Sequence, residues 1–233
     1  MGGRPAAKPS SLVDPGDAVE LSAPRRFVSR GGEKLAAALD RFGVDPSARD
    51  CLDAGASTGG FTDCLLRCGA ARVIAVDVGY GQLAWTLRED PRVVVMERTN
   101  VRNLRPSRLP FRPQLLTVDL SFISLGVALP ALADVAARPG LFIMLVKPQF
   151  EAGRARVGRG GVVRDPDVWR DVLERVAQAC RESSLVPQRA MASPLLGAAG
   201  NVEFFLLART GSEESALGLE AAVEEGQSVG GRS

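Results

Sequence analysis

Two lysines and two carboxylates, Lys34, Asp119, Lys147 and Glu203, are the residues whose types could do chemistry together, and a coarse strand reading brings three of them, Asp119, Lys147 and Glu203, to one edge of one sheet. An amine with a lowered proton affinity can take a proton from a hydroxyl. Asp119 follows the apolar run Leu115 to Val118, and Lys147 follows Leu141 to Val146. Glu203 stands instead at the start of an apolar run, Phe204 to Ala208. If that last strand runs antiparallel to the others, its beginning lies beside their ends, the edge at which open α/β sheets bind ligands.

An ordinary lysine titrates near 10.4, so neutralising it at pH 7 costs about 4.6 kcal/mol, at about 1.36 kcal/mol per unit. A second ammonium nearby and partial burial both favour the neutral amine. Lys147 before Pro148 is therefore the candidate general base and Lys34 its tuning neighbour. Asp119 and Glu203 would favour the charged forms, so orienting the two lysines through hydrogen bonds is the role that fits them.

A second constellation lies between the first strand and its helix: Asp53, Ala54, Gly55, Ala56, Ser57, Thr58, Gly59 and Gly60. Glycines here would let backbone amides approach a ligand. The spacing lacks the middle glycine that admits a pyrophosphate in the dinucleotide fingerprint. Asp77, at the tip of the second strand, is placed to accept hydrogen bonds from ribose hydroxyls, and Asn100 and Val101 after the third strand would border an adenine. A nucleoside cofactor without a diphosphate, S-adenosylmethionine, suits this set.

The fourth strand tip then discriminates among acceptor atoms. Adenine amino-methylases carry an Asp/Asn-Pro-Pro-aromatic run there, whereas this chain has Asp119-Leu120-Ser121-Phe122. None of the four cysteines follows a proline, as the nucleophile of cytosine carbon-5 enzymes usually does, so covalent base chemistry is disfavoured.

The elements that must position these residues alternate from residue 31 onward, the pattern of a sheet layered between helices. Strands are expected over 51–54, 72–77, 92–96, 114–119, 141–147, 186–192 and 202–209, and helices over 31–43, 61–68, 82–89, 125–137 and 168–182. The expected fold is α/β and Rossmann-like, a seven-stranded, mostly parallel sheet with an antiparallel last strand. Residues 148–165 read as a long polar loop with Arg154, Arg156, Arg159 and Arg164 among four glycines.

At 233 residues and 45% hydrophobic composition, one full core is expected. Residues 211–233 contain five Glu and one Arg, few large apolar side chains and no aromatic one, which predicts a disordered acidic tail. The overall charge of +2 then leaves the preceding 210 residues at +6, compatible with a nucleic-acid partner. With no histidine, and with Cys64 and Cys68 on one apolar helical face, the cysteines read as buried thiols and no metal site is expected. The absence of an apolar leader or a spanning run points to a cytoplasmic protein without membrane partners.

Several runs together resemble a known family: residues 27–35 (Phe-Val-Ser-Arg-Gly-Gly-Glu-Lys-Leu), 53–60, 118–124 (Val-Asp-Leu-Ser-Phe-Ile-Ser), 146–151 (Val-Lys-Pro-Gln-Phe-Glu) and 201–203 (Asn-Val-Glu). They are similar to the motifs of the TlyA (haemolysin A) family of ribosomal-RNA ribose 2'-O-methyltransferases, related to the FtsJ-like group, and the match runs from about residue 10 to 209. The resemblance implies that Lys34, Asp119, Lys147 and Glu203 form a catalytic tetrad. It also implies methyl transfer from S-adenosylmethionine to a ribose 2'-hydroxyl of ribosomal RNA, with cytidine the suggested nucleotide and ribosomal RNA or ribosomal subunits the partner. Arg30, Arg154, Arg156 and Arg159 are the candidate RNA contacts. Family members carry a complete small RNA-binding module upstream; residues 1–26 read as its last portion plus a linker, 27–210 as the FtsJ-like domain. Two rival classes are a membrane-active haemolysin and a non-catalytic RNA-binding protein that retains the cofactor fold.

Overall fold

The computed structural model of the chain describes residues 26–211 and 217–231. Its frame follows from seven short, largely apolar runs, of which the inner ones are buried on both faces as central strands of a covered sheet. These are β1 (Asp50–Ala54), β2 (Arg72–Val76), β3 (Val93–Met96), β4 (Leu115–Val118), β5 (Leu141–Val146), β6 (Leu185–Ala192) and β7 (Phe204–Thr210). They form one sheet in the order β3-β2-β1-β4-β5-β7-β6, and β7 is antiparallel to both its neighbours. The expected seven strands and antiparallel closing strand are both present.

Alternate side chains of each strand enter opposite cores. On one face Cys51, Val73, Leu115, Ile143 and Phe205 meet Leu35, Leu39 and Phe42 of α1 (Arg30–Phe42) and Phe61 and Leu65 of α2 (Gly60–Arg67). On the other face Leu52, Ile74, Leu116, Phe142 and Phe204 meet α4 (Leu125–Val135) and α6 (Pro166–Glu182). Two short helices, α3 (Trp85–Arg88) and α5 (Pro148–Glu151), lie near the strand ends. Cys51, Cys64 and Cys180 are buried as thiols, and burial pushes Cys51 and Cys180 up to about 12.

Three expectations change. The helix expected over 82–89 shrinks to α3, because Glu97 accepts from the Gly81 amide at 2.8 Å and holds the preceding residues in a turn. Residues 148–165 are organised: after α5 come short 3₁₀ turns, and buried Asn201 accepts from Val163 N and donates to Gly161 O, each at 2.9 Å. The acidic tail is corrected most. Leu219–Gly230 form a further helix, α7, with Ala222, Val223 and Gly226 buried. Composition misled because small residues do the packing: a Cβ on Gly226 would stand 3.0 Å from the Phe204 ring. Two of the tail's acids are anchored, Glu220 on Arg170 and Glu225 on Arg41, each at 2.7 Å. The expected N-terminal module falls almost wholly outside the described residues.

Candidate active site

The strand register places the four charged residues. Val146 pairs with Phe204 across β5 and β7, so Lys147, one step beyond β5, stands opposite Glu203, one step before β7. Val118 pairs with Met144, which brings Asp119 to the same edge, and α1 brings Lys34 over it. Lys34 Nζ donates to Glu203 Oε2 at 2.6 Å, with both side chains buried. Lys147 Nζ lies 2.6 Å from Asp119 Oδ1 and donates to Ser121 Oγ at 3.0 Å. All four line one hollow of about 270 Å³, together with Ser29, Arg30, Gly31, Gly55, Ala56, Ser57, Thr58, Gly60, Phe61 and Ala198. These ion pairs therefore belong to one site.

The glycine turn lines the hollow, and its glycines also make room for close packing. A Cβ on Gly55 would stand 2.2 Å from the Asp119 carbonyl oxygen, and one on Gly60 would stand 2.1 Å from Ser29 Oγ. These glycines let the first turn approach the fourth strand tip and the start of α1, which closes the walls of the hollow. Gly59 faces Leu83 and Leu87 instead. Ser57 holds a positive φ of 48° and donates its amide to Asp77 Oδ2 at 2.8 Å.

Asp77 and Ser57 line a smaller hollow with Gly79, Gln82, Leu83, Val95 and Glu97, and the two hollows share Ala56 and Ser57. Both Asp77 oxygens accept backbone amides, Oδ2 from Ser57 and Oδ1 from Gly79, yet a carboxylate offers about four acceptor positions, so capacity remains for ribose hydroxyls. Asn100 and Val101 line neither hollow. The Asn100 side chain accepts from the Arg102 amide, and Val101 is buried in a core cluster.

Asp53 is fully buried and lines neither hollow. Its Oδ2 accepts from Thr62 Oγ1 at 2.7 Å while Oδ1 lacks a partner. Burial pushes its carboxyl up to about 7, against the Thr62 hydrogen bond and with help from the Asp119 and Asp77 charges.

Of the arginines, Arg30 lines the hollow and Arg154 and Arg159 are exposed. Arg156 is drawn aside, donating to Asp171 Oδ2 at 2.7 Å and to Ala152 O at 3.0 Å. Sequence reasoning did not assign roles to Ser29, Ser121, Phe61 or Ala198. Ser121 had a signal, since it stands two residues from Asp119. Ala198 had none, because a connection without periodicity gives no hint of where it folds.

A doubly wound sheet with an antiparallel strand next to last, and a lysine-carboxylate cluster beside a glycine turn at the strand ends, defines a class of methyltransferases. A structure of an S-adenosylmethionine-dependent methyltransferase from Mesorhizobium loti shares this fold alone, at 14% identity and a TM-score of 0.54 over 74% of this chain and 96% of its own. Residues 27–210 match the FtsJ-like methyltransferase family, and the chain belongs to that family and to its TlyA (haemolysin A) branch. It is 50% identical over 98% of its length to the 16S/23S rRNA (cytidine-2'-O)-methyltransferase TlyA of Mycobacterium tuberculosis, covering 87% of that protein. Hemolysin A of Brachyspira hyodysenteriae is 38% identical over 81% of the chain and 79% of its own length. A crystal structure described as a hemolysin from Lactococcus lactis superposes with a TM-score of 0.83 at 43% identity, over 86% of this chain and 98% of that one. No helix among the described residues is long and apolar enough to cross a membrane.

Proposed function

We propose that this methyltransferase acts on a ribose 2'-hydroxyl of ribosomal RNA, with S-adenosylmethionine as donor and cytidine as the target nucleotide. The observation that carries the reading is the convergence of Lys34, Asp119, Lys147 and Glu203 on one hollow, in two ion pairs of 2.6 Å. Relatives named as cytidine-2'-O-methyltransferases support the substrate class.

The shared wall of the two hollows suits a nucleoside cofactor, with Asp77 and the Ala56 to Thr58 backbone holding it. When bound, S-adenosylmethionine supplies an electrophilic methyl group on a sulfonium. The protein's own work is mostly positioning, plus removal of one proton from the attacking hydroxyl. Lys147 takes that proton at Nζ. Lys34 steadies the developing alkoxide with its positive charge. Asp119 and Glu203 fix the two amines. Arg30 at the rim, with Arg154 and Arg159, contacts phosphate, and Phe122, 90% exposed and tilted against Phe150, offers a face for an unstacked base.

The test is transfer of labelled methyl from S-adenosylmethionine to separated, unmodified ribosomal subunits, followed by mapping of the product. The expected result is label on a ribose, abolished when the target nucleotide is replaced by its 2'-deoxy form. Label on a base, or persistence in the deoxy substrate, would overturn the reading.

A further inference from the structure

Helix α5 is one turn long, and its two ends grip the same stretch of chain. At its start Lys147 Nζ meets Asp119 Oδ1 and Ser121 Oγ. At its end Glu151 Oε2 accepts from Ser124 Oγ and Oε1 accepts from Leu125 N, both at 2.7 Å. Ser124 in turn accepts from Gly126 N and caps α4. Residues 119–125 are thus clasped at both ends, and Arg175 Nη2 donates to the Glu151 carbonyl at 3.0 Å to steady the clasp.

The two contacts of Lys147 differ in kind. The approach to Asp119 Oδ1 is close but off the hydrogen-bond axis, since that oxygen receives no aligned donor. A charge contact of this sort has little directional preference, whereas a hydrogen bond weakens steeply off axis. Ser121 therefore supplies the directional partner. A neutral amine has two N–H bonds and one lone pair. Cε and Ser121 take two of the tetrahedral directions, and the Asp119 charge draws the second N–H to its own side, so the lone pair takes the remaining direction, away from the carboxylate.

We propose that Ser121 is a positioning residue that, with Asp119, aims the Lys147 lone pair at the acceptor hydroxyl, and that Glu151 holds Ser121 in place. The inference rests on Lys147 being the base. In the step, the hydroxyl proton passes to Nζ, the oxygen's electron pair forms the bond to the methyl carbon, and the carbon–sulfur electrons leave with the thioether. Ser121 neither gains nor loses a proton.

The experiment compares the full-length wild type with Ser121→Ala, Ser121→Thr, Glu151→Gln and Lys147→Ala, using S-adenosylmethionine and unmodified ribosomal subunits, with cofactor affinity measured by calorimetry. Ser121→Ala is expected to lower kcat about ten- to hundredfold, the scale of a misaligned reacting group, with KM and cofactor affinity within about twofold. Ser121→Thr keeps the hydroxyl and restores most of the rate. Glu151→Gln gives a smaller loss of the same kind. Wild-type kcat in Ser121→Ala beside an inactive Lys147→Ala would overturn the role of Ser121, as would a loss that threonine does not rescue. Activity in Lys147→Ala would instead overturn the assignment of the base.

Discussion

Lys34 and Glu203 are 169 residues apart in the chain and meet as a buried ion pair at 2.6 Å. The pair ties α1 to the start of β7, so it is structural as well as chemical. Removing one partner of a buried pair leaves an uncompensated charge and typically costs about 3 to 5 kcal/mol. Glu203→Ala should lower unfolding free energy by about that amount in a denaturant titration. Adding Lys34→Met should recover most of the stability while methyl transfer stays absent.

Lys147→Ala should abolish methyl transfer while cofactor affinity stays within about threefold, because the lost interaction belongs to the transition state. Equilibrium binding of the cofactor beside a single-turnover assay separates the two effects. Substantial transfer by the variant would remove Lys147 as base.

Asp77→Ala should do the reverse. Losing one charged hydrogen-bonding group is worth roughly 1.5 to 3 kcal/mol, so the cofactor Kd should rise about ten- to hundredfold. The variant also frees the Ser57 and Gly79 amides that Asp77 accepts from. Asp77→Asn keeps one acceptor oxygen but sets an NH2 donor against one of those amides, so it should lose only somewhat less.

Asp53 makes stability depend on pH. Its carboxyl is raised from 3.8 to about 7, so between those values the folded chain binds more protons than the unfolded one. Stability from this group is therefore full below about pH 4 and falls as pH rises through 7, by up to about 4 kcal/mol at about 1.36 kcal/mol per unit. Urea unfolding at pH 5 and pH 8 should show a larger decline for the wild type than for Asp53→Asn. Equal declines would mean that Asp53 ionises normally in the folded state.

The arginines of the 154–164 segment divide by their partners. Arg156 is committed to Asp171, so the triple replacement of Arg154, Arg156 and Arg159 by Ala should remove about two phosphate contacts. The slope of log K for RNA against log salt should then flatten by roughly 1.4 to 1.8, at about 0.7 to 0.9 per contact. An unchanged slope would place the RNA elsewhere.

The strands were legible because their apolar runs are short, bounded by turns and buried on both faces, as Leu141 to Val146 is. The tetrad was legible because register follows from strand direction: once β7 is antiparallel, Glu203 must face Lys147. Two things were hidden. The burial of Asp53 depends on what Thr62 and the neighbouring carboxylates surround, which spacing does not express. Helix α7 was invisible because Gly226 and Ala222 pack by being small, and smallness in a glutamate-rich segment reads as disorder.

The sheet order carries a consequence for how the molecule is made. Strand β6 is synthesised before β7 yet hydrogen-bonds to no other strand, and β7 must slide between β5 and β6. Until β7 has left the ribosome, β6 has no place in the sheet and the ammonium of Lys34 has no carboxylate. The Lys34–Glu203 pair can therefore close only once β7 has followed β6 out of the ribosome, so the proposed reaction centre is incomplete in any growing chain that has not reached Glu203.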